Sequence, residues 1–246
     1  MTGNNLKYLI FLWIFGVIGG YFTALYSIEI MDSTLLEEAI SQVGSVEMLI
    51  LITTFQSLAY AVILGFLGRL IAKKIGLWRE FTVTAKPLMY TAIASVVGGA
   101  LFILADVLVF ASFIPAVLDS YMIKPTLNYI VASVTYGGVV EEIMLRLFFM
   151  SLIAFVISKF SRSQEATETH LVIANILSAL LFAAGHLPET IQSIGITPII
   201  LIRCFVMNGA FGILFGRMYR KYGIGYAMLT HAGVHIVSKI IWILFI

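Results

Sequence analysis

The sequence predicts an all-α fold, a polytopic transmembrane helix bundle of about seven spans, or eight if the fourth breaks. Three observations predict it. The 246 residues are 61% hydrophobic and only 11% charged, with a mean hydropathy of +1.03, whereas a soluble domain is about half apolar and a quarter charged. Seven stretches approach or exceed the roughly 20 apolar residues that cross a bilayer. Basic residues collect on one side of those stretches, as positive-inside sorting requires.

The stretches are Leu6–Ile28, Met48–Ile71, Leu88–Phe110, Thr126–Ser158, Leu171–His186, Pro198–Tyr219 and Gly225–Ile246. The first is longer than a signal-peptide core of about 7–15 residues, and Ala24-Leu25-Tyr26 lacks the second small residue of a cleavage site. It reads as a retained helix. The acidic segment from Glu29 to Glu47 follows, where Thr34-Leu35-Leu36-Glu37 fits a capping box and predicts a short interfacial helix. Lys73 to Glu80, with Lys86-Pro87, is a basic connection whose Trp78 suits the membrane–water interface. Ile114-Pro115 and Lys124-Pro125 bracket the loop before the fourth span.

That fourth span would be about 50 Å long as a straight α-helix, against a hydrocarbon core of about 30 Å. It must tilt, protrude or break, and Gly137-Gly138 is the expected bend. Lys159 to Thr169 reads as a mobile polar loop. Leu187-Pro188-Glu189 ends the fifth span, because proline disfavours helix in the residue before it. Residues 1–125 then form a region of three spans without a recognised motif, and residues 126–246 carry the chemistry.

Lys73, Lys74, Arg79 and Lys86 follow span two; Lys159 and Arg162 follow span four; Arg217, Arg220 and Lys221 close span six. Glu29, Asp32, Glu37, Glu38, Glu47, Asp119 and Glu189 lie opposite. This pattern places the N-terminus in the cytoplasm and the C-terminus outside, in a multi-pass protein of the cell membrane. The net charge of +2 and the lack of a basic run exclude nucleic acid as a partner. The bilayer is the first partner. Cys204 is the single cysteine, which excludes an internal disulfide and a thiolate metal cluster.

Glu141, Glu142 and Arg146 stand inside the fourth apolar run. Ionisable residues in lipid cost roughly 2.5–3.5 kcal/mol each on insertion scales, so they need partners or a function. Glu142 and Arg146 are four apart and share a helix face, while Glu141 points about 100° away. One carboxylate can pair with the arginine and leave the other for general acid–base work. The plainer alternative is a structural ion pair that orients helices. Three histidines also lie within spans. His231 and His235, at i and i+4, share a face, a spacing also used for metal ligation; His186 closes the fifth span. His170 lies in the polar loop and reads as solvated. Asp106, Lys239, Arg69 and Arg203 fall toward span ends and read as snorkelling side chains. Asn208 and Gln56 lie nearer mid-span and read as helix–helix hydrogen bonders.

In order and approximate spacing, Glu141-Glu142-x-x-x-Arg146, Phe182-x-x-x-His186 and His231-x-x-x-His235 resemble the motifs of the CAAX protease and bacteriocin-processing (CPBP) family, which includes type II CAAX prenyl endopeptidases. Phe211-Gly212-Ile213-Leu214-Phe215-Gly216, with Gly223, resembles that family's small-residue-rich helix pair. The resemblance runs from about Thr126 to the C-terminus. It implies an all-α intramembrane protease cleaving a membrane-associated or lipidated peptide, a prenylated one being one precedent. It implies that Glu141 and His186 activate the water, that His231 and the position four later stabilise the oxyanion, and that Glu142 and Arg146 support this geometry. The family usually has asparagine where this chain has His235, and histidine donates differently and can bind metal.

The residues themselves leave two mechanisms open. In the favoured one no metal is required: Glu141 is the base, and His231 and His235 donate to the oxyanion. In the other, His186, His231, His235 and Glu141 hold Zn²⁺, which activates the water. Counted from the cytoplasmic ends, Glu141 and His186 lie about 25–28 Å along their helices and His231 about 12 Å along its own. Tilt, a break or an extension of span four must close that difference in depth. Two other classes of function also accommodate buried Glu, His and Arg. One is an ion- or proton-coupled transporter, although the paired repeats of such folds are not evident. The other is a non-catalytic scaffold or bacteriocin-immunity-type membrane protein.

Overall fold

A computed structural model describes residues 3–161 and 166–246. Arg162, and part of the connection expected to be a mobile loop, lie outside the described residues. In hydrocarbon every backbone N–H and C=O needs an internal partner, which these long apolar runs find only by winding into helices. The described residues contain no strand. The helices are α1 (Gly3–Ile30), α2 (Ser33–Val43), α3 (Val46–Lys74), α4 (Ala85–Leu108), α5 (Pro115–Tyr121), α6 (Leu127–Phe160), α7 (Glu168–Gly185), α8 (Leu187–Ile194), α9 (Pro198–Tyr222) and α10 (Ile224–Phe245). Seven are long and apolar enough to cross a membrane: α1, α3, α4, α6, α7 with α8, α9 and α10.

Two local expectations shift. The interfacial helix α2 is capped by Asp32, whose side chain accepts from the Leu35 amide at 2.9 Å, rather than by Thr34. Pro188 does end α7, but the chain restarts at once. Pro188 occupies the first turn of α8, where its missing N–H costs nothing, and His186 is left at the joint between the two helices.

The larger departure is in α6. The expected break at Gly137-Gly138 does not occur. The 34-residue helix is continuous and is π-wound over Ser133–Glu141 and again over Ile143–Met150. Bonding each N–H to the fifth residue back puts more residues in a turn, so the helix is shorter than its residue count implies. The two glycines serve close approach. A Cβ on Gly138 would lie 2.7 Å from the Ala232 Cβ and 2.9 Å from its Cα; one on Gly137 would lie 3.0 Å from His235 Nε2.

α6 is thereby the centre of the bundle, packed against α1, α3, α7, α9 and α10. Its Ile143, Leu147, Met150 and Ala154 are fully buried in one core with Leu12 and Tyr219. Large apolar side chains such as Phe55, Val96, Leu108 and Ile202 face outward, as suits a lipid-facing surface.

The interior polar residues also depart from expectation. Asp106 is fully buried rather than snorkelling. It accepts two bonds from Arg203, Nε to Oδ1 at 2.7 Å and Nη2 to Oδ2 at 2.6 Å, and a third from the Tyr121 hydroxyl at 2.9 Å. Burial and the neighbouring carboxylate push the Tyr121 phenol far above its ordinary range, so it stays a donor. Gln56 and Asn208 bond within their own helices, to Tyr60 and to the Cys204 carbonyl. Asn175 of α7 makes the interhelical bond, to the Ile213 carbonyl at 3.1 Å.

Because backbone atoms of α10 leave no room beside Gly138, even Gly138→Ala must push α6 and α10 apart. Thermal unfolding of the purified protein in detergent should show a loss of about 1–3 kcal/mol, the usual cost of overpacking, whereas Gly209→Ala, whose added Cβ meets nothing within 4 Å, should lose less.

Candidate active site

The site is built around three side chains with almost no exposed surface: Glu142 (0%), Arg146 (0%) and His231 (3%). His231 Nδ1 donates to Glu142 Oε1 at 3.0 Å, and Arg146 Nε lies 3.5 Å from Glu142 Oε2. Arg146 Nη2 donates to the Gly212 carbonyl at 3.3 Å. Its guanidinium lies 4.6 Å above the Phe182 ring and 5.8 Å from that of Phe215. Removing one partner from a buried pair strands the other charge at a cost of about 3–5 kcal/mol, so these three groups hold one another in place.

Local sequence makes the room. Gly212 and Ala179 face each other so closely that a Cβ on Gly212 would lie 2.8 Å from the Ala179 Cβ and 3.4 Å from Arg146 Nη2. Small residues let α7 and α9 close around the arginine. One turn along α9, Phe215 stacks on His231 with centroids 4.1 Å apart, and His235 stacks on His231 at 4.8 Å.

Beside this cluster lies a cavity of about 70 Å³ whose wall includes His186, His231, His235, Phe182, Phe211 and Asn208. His186 projects into it from the joint between α7 and α8. Its Nδ1 lies 2.9 Å from the Phe182 carbonyl. A carbonyl only accepts, so Nδ1 carries the proton, and Nε2 of the neutral ring is the free acceptor. The same reasoning applied to His231 puts its proton on the nitrogen that faces Glu142.

The expected site residues are therefore brought together in unequal degree. Glu142, Arg146 and His231 form one network; His186, His231 and His235 line one cavity. The difference in depth is closed, since His231 touches Glu142. Glu141 is half-buried and stands apart from the network: among the described residues no hydrogen bond or ion pair joins it to a histidine or to Arg146. It shares the space over Gly137 with His235, the Cβ position there being 3.9 Å from Glu141 Oε2 and 3.0 Å from His235 Nε2. Among the described residues no three His, Cys, Asp or Glu side chains are grouped to hold a metal ion. His186 and His231 each place Nδ1 against a protein acceptor and leave Nε2 free, an orientation that serves a metal ligand as well as a hydrogen-bonding histidine.

Two wall residues were read otherwise from the sequence. Asn208 faces the cavity. Lys239, expected to snorkel, is only 4% exposed and lines the cavity as well. The signal for Lys239 was present: positions 231, 235 and 239 run at i, i+4 and i+8 along one face of α10.

Residues 123–237 match the family described as type II CAAX prenyl endopeptidase Rce1-like. No curated protein and no solved structure matches the chain. The matched segment contains Glu141, Glu142, Arg146, His186, His231 and His235, and the seven apolar helices make the chain an integral membrane protein. Over this segment, a little under half of the chain, the sequence is similar to that family.

Proposed function

We propose that residues 126–246 are the catalytic core of an endopeptidase that hydrolyses a peptide bond in a lipidated, membrane-associated substrate, and that Glu141 and His186 activate the water. The observation that carries this reading is the cavity lined by three histidines and backed by the buried Glu142–Arg146 pair. Glu141 takes a proton as the water oxygen attacks the scissile carbonyl, and His186 Nε2 accepts a hydrogen bond from that water. His231 and His235 face the oxyanion that forms. The bond between His231 Nδ1 and Glu142 fixes the ring so that Nε2 points to the cavity. Collapse of the intermediate breaks the C–N bond, and the proton held by Glu141 passes to the leaving amine. Glu142 and Arg146 act through His231 as positioning residues.

The cavity's Phe102, Phe182, Phe211 and Phe215 suit an apolar peptide segment, and the family description favours a prenylated C-terminal one. The proposed mechanism needs no metal. Residues 1–125 supply the three N-terminal spans, which pack against this core, and the N-terminus lies in the cytoplasm.

Glu141→Gln and His186→Ala should each lower kcat/KM on an S-farnesyl peptide by about 100-fold or more while the thermal midpoint stays near that of the unmodified chain. Cleavage at the original rate by either variant would remove that residue from the mechanism. Activity should survive exhaustive chelation; full loss with rescue by Zn²⁺ would replace the metal-free mechanism. In a Cys204→Ala background, Ser41→Cys should react with a membrane-impermeant maleimide in intact cells and Lys74→Cys should react only after lysis. The opposite pattern would invert the orientation.

A further inference from the structure

Among the described residues Lys239 is the one lysine or arginine on the cavity wall, and the proposed chemistry leaves it unused. It lies one helical turn beyond His235 and two beyond His231 on α10, outside the segment that matches the family. It is 4% exposed, and its ammonium sits 4.2 Å above the Tyr129 ring. Among the described residues no carboxylate lies within 4.0 Å of it and no hydrogen bond holds it.

The acids near this end of the fold are engaged elsewhere. Asp106 is held by Arg203 and by Tyr121 of the same wall. Glu29 accepts from Thr126 and Asn128, and Glu189 from Tyr26. An ammonium withdrawn from water without an anion is uncompensated, and an aromatic face returns only part of what water supplied. A buried intramembrane lysine facing a cavity is by default a functional group in want of a partner. A single point charge among Tyr121, Tyr129 and Trp242 suits one monoanionic carboxylate at the end of an apolar chain.

We infer that Lys239 receives the free α-carboxylate of the peptide substrate, which makes it a specificity-determining residue for substrates that end a few residues beyond the cleaved bond. The inference rests on the protease reading above. The spacing agrees with it. His235 and Lys239 differ by about 6 Å along α10 and His231 and Lys239 by about 12 Å. Extended chain covers about 3.3–3.6 Å per residue, so two or three residues link a carbonyl at the histidines to a carboxylate at the lysine.

The test uses full-length protein in lipid nanodiscs and a fluorescent peptide ending in S-farnesyl-Cys-Val-Ile-Met, made as the free acid and as the carboxamide. Affinity is read by anisotropy on the Glu141→Gln variant, so that binding is measured without turnover; cleavage is read separately on the unmodified chain. The free acid should bind about tenfold or more tightly than the carboxamide. Adding Lys239→Met should bring the acid down to the carboxamide's affinity, and Lys239→Arg should retain part of the preference. Equal binding of acid and carboxamide by protein that keeps Lys239 overturns the inference, as does a preference that survives Lys239→Met. The first comparison decides the matter even if Lys239→Met does not fold. A binding preference for the acid without any cleavage by the unmodified chain would sink the protease reading and leave the carboxylate site standing.

Discussion

The structure depends on keeping one carboxylate and one guanidinium out of water in the middle of an apolar bundle. Glu142 and Arg146 have no exposed surface, and the desolvation of such a pair is offset only if each member meets further partners. Those partners come from three other helices: His231 from α10, the Gly212 carbonyl and the Phe215 ring from α9, and the Phe182 ring from α7. Satisfying one ion pair thus sets the relative position of four helices. Loosening any one of them leaves a buried charge unpaired, which makes the cluster a constraint on assembly as well as on chemistry.

The winding of α6 follows from the same demand. An α-helix of 34 residues would overshoot the bilayer, and a break would expose backbone groups that lipid cannot satisfy. π-winding within a continuous helix keeps the backbone bonded internally and carries Glu142 to the level of a histidine on a neighbouring helix. Glycine at 137 and 138 then allows α10 to lie directly against α6, with Ala232 and His235 in the space a side chain would fill. The resulting face of α10 presents His231, His235 and Lys239 in succession to a single cavity. The proposed hydrolysis and the proposed carboxylate subsite are therefore consecutive turns of one helix.

Much of this was legible in the chain itself. Seven apolar runs, the i,i+4 pairing of Glu142 with Arg146, the shared face of His231 and His235, and the role of Pro188 in ending α7 all follow from local periodicity and backbone chemistry. The less legible features involve more than one helix. Nothing in the residues around Gly137-Gly138 distinguishes a bend from a close packing contact, because both call for a missing Cβ. Asp106, Arg203 and Lys239 look alike in one dimension, as charges near span ends. Only the neighbouring helices separate a buried bidentate pair from a lone ammonium over a tyrosine ring.

By itself, the sequence determined what must be buried and on which helix face each chemical group stands, since hydrophobic periodicity and the cost of ions in lipid act locally. The tertiary structure decided which faces meet. It gave Glu142 rather than Glu141 the bond to His231, it directed one nitrogen of His186 and one of His231 to protein acceptors, and it turned Lys239 inward. The physical reason is that these outcomes are set by distances between helices, and those distances are governed by small residues at crossings such as Gly138 with Ala232 and Gly212 with Ala179, far apart along the chain.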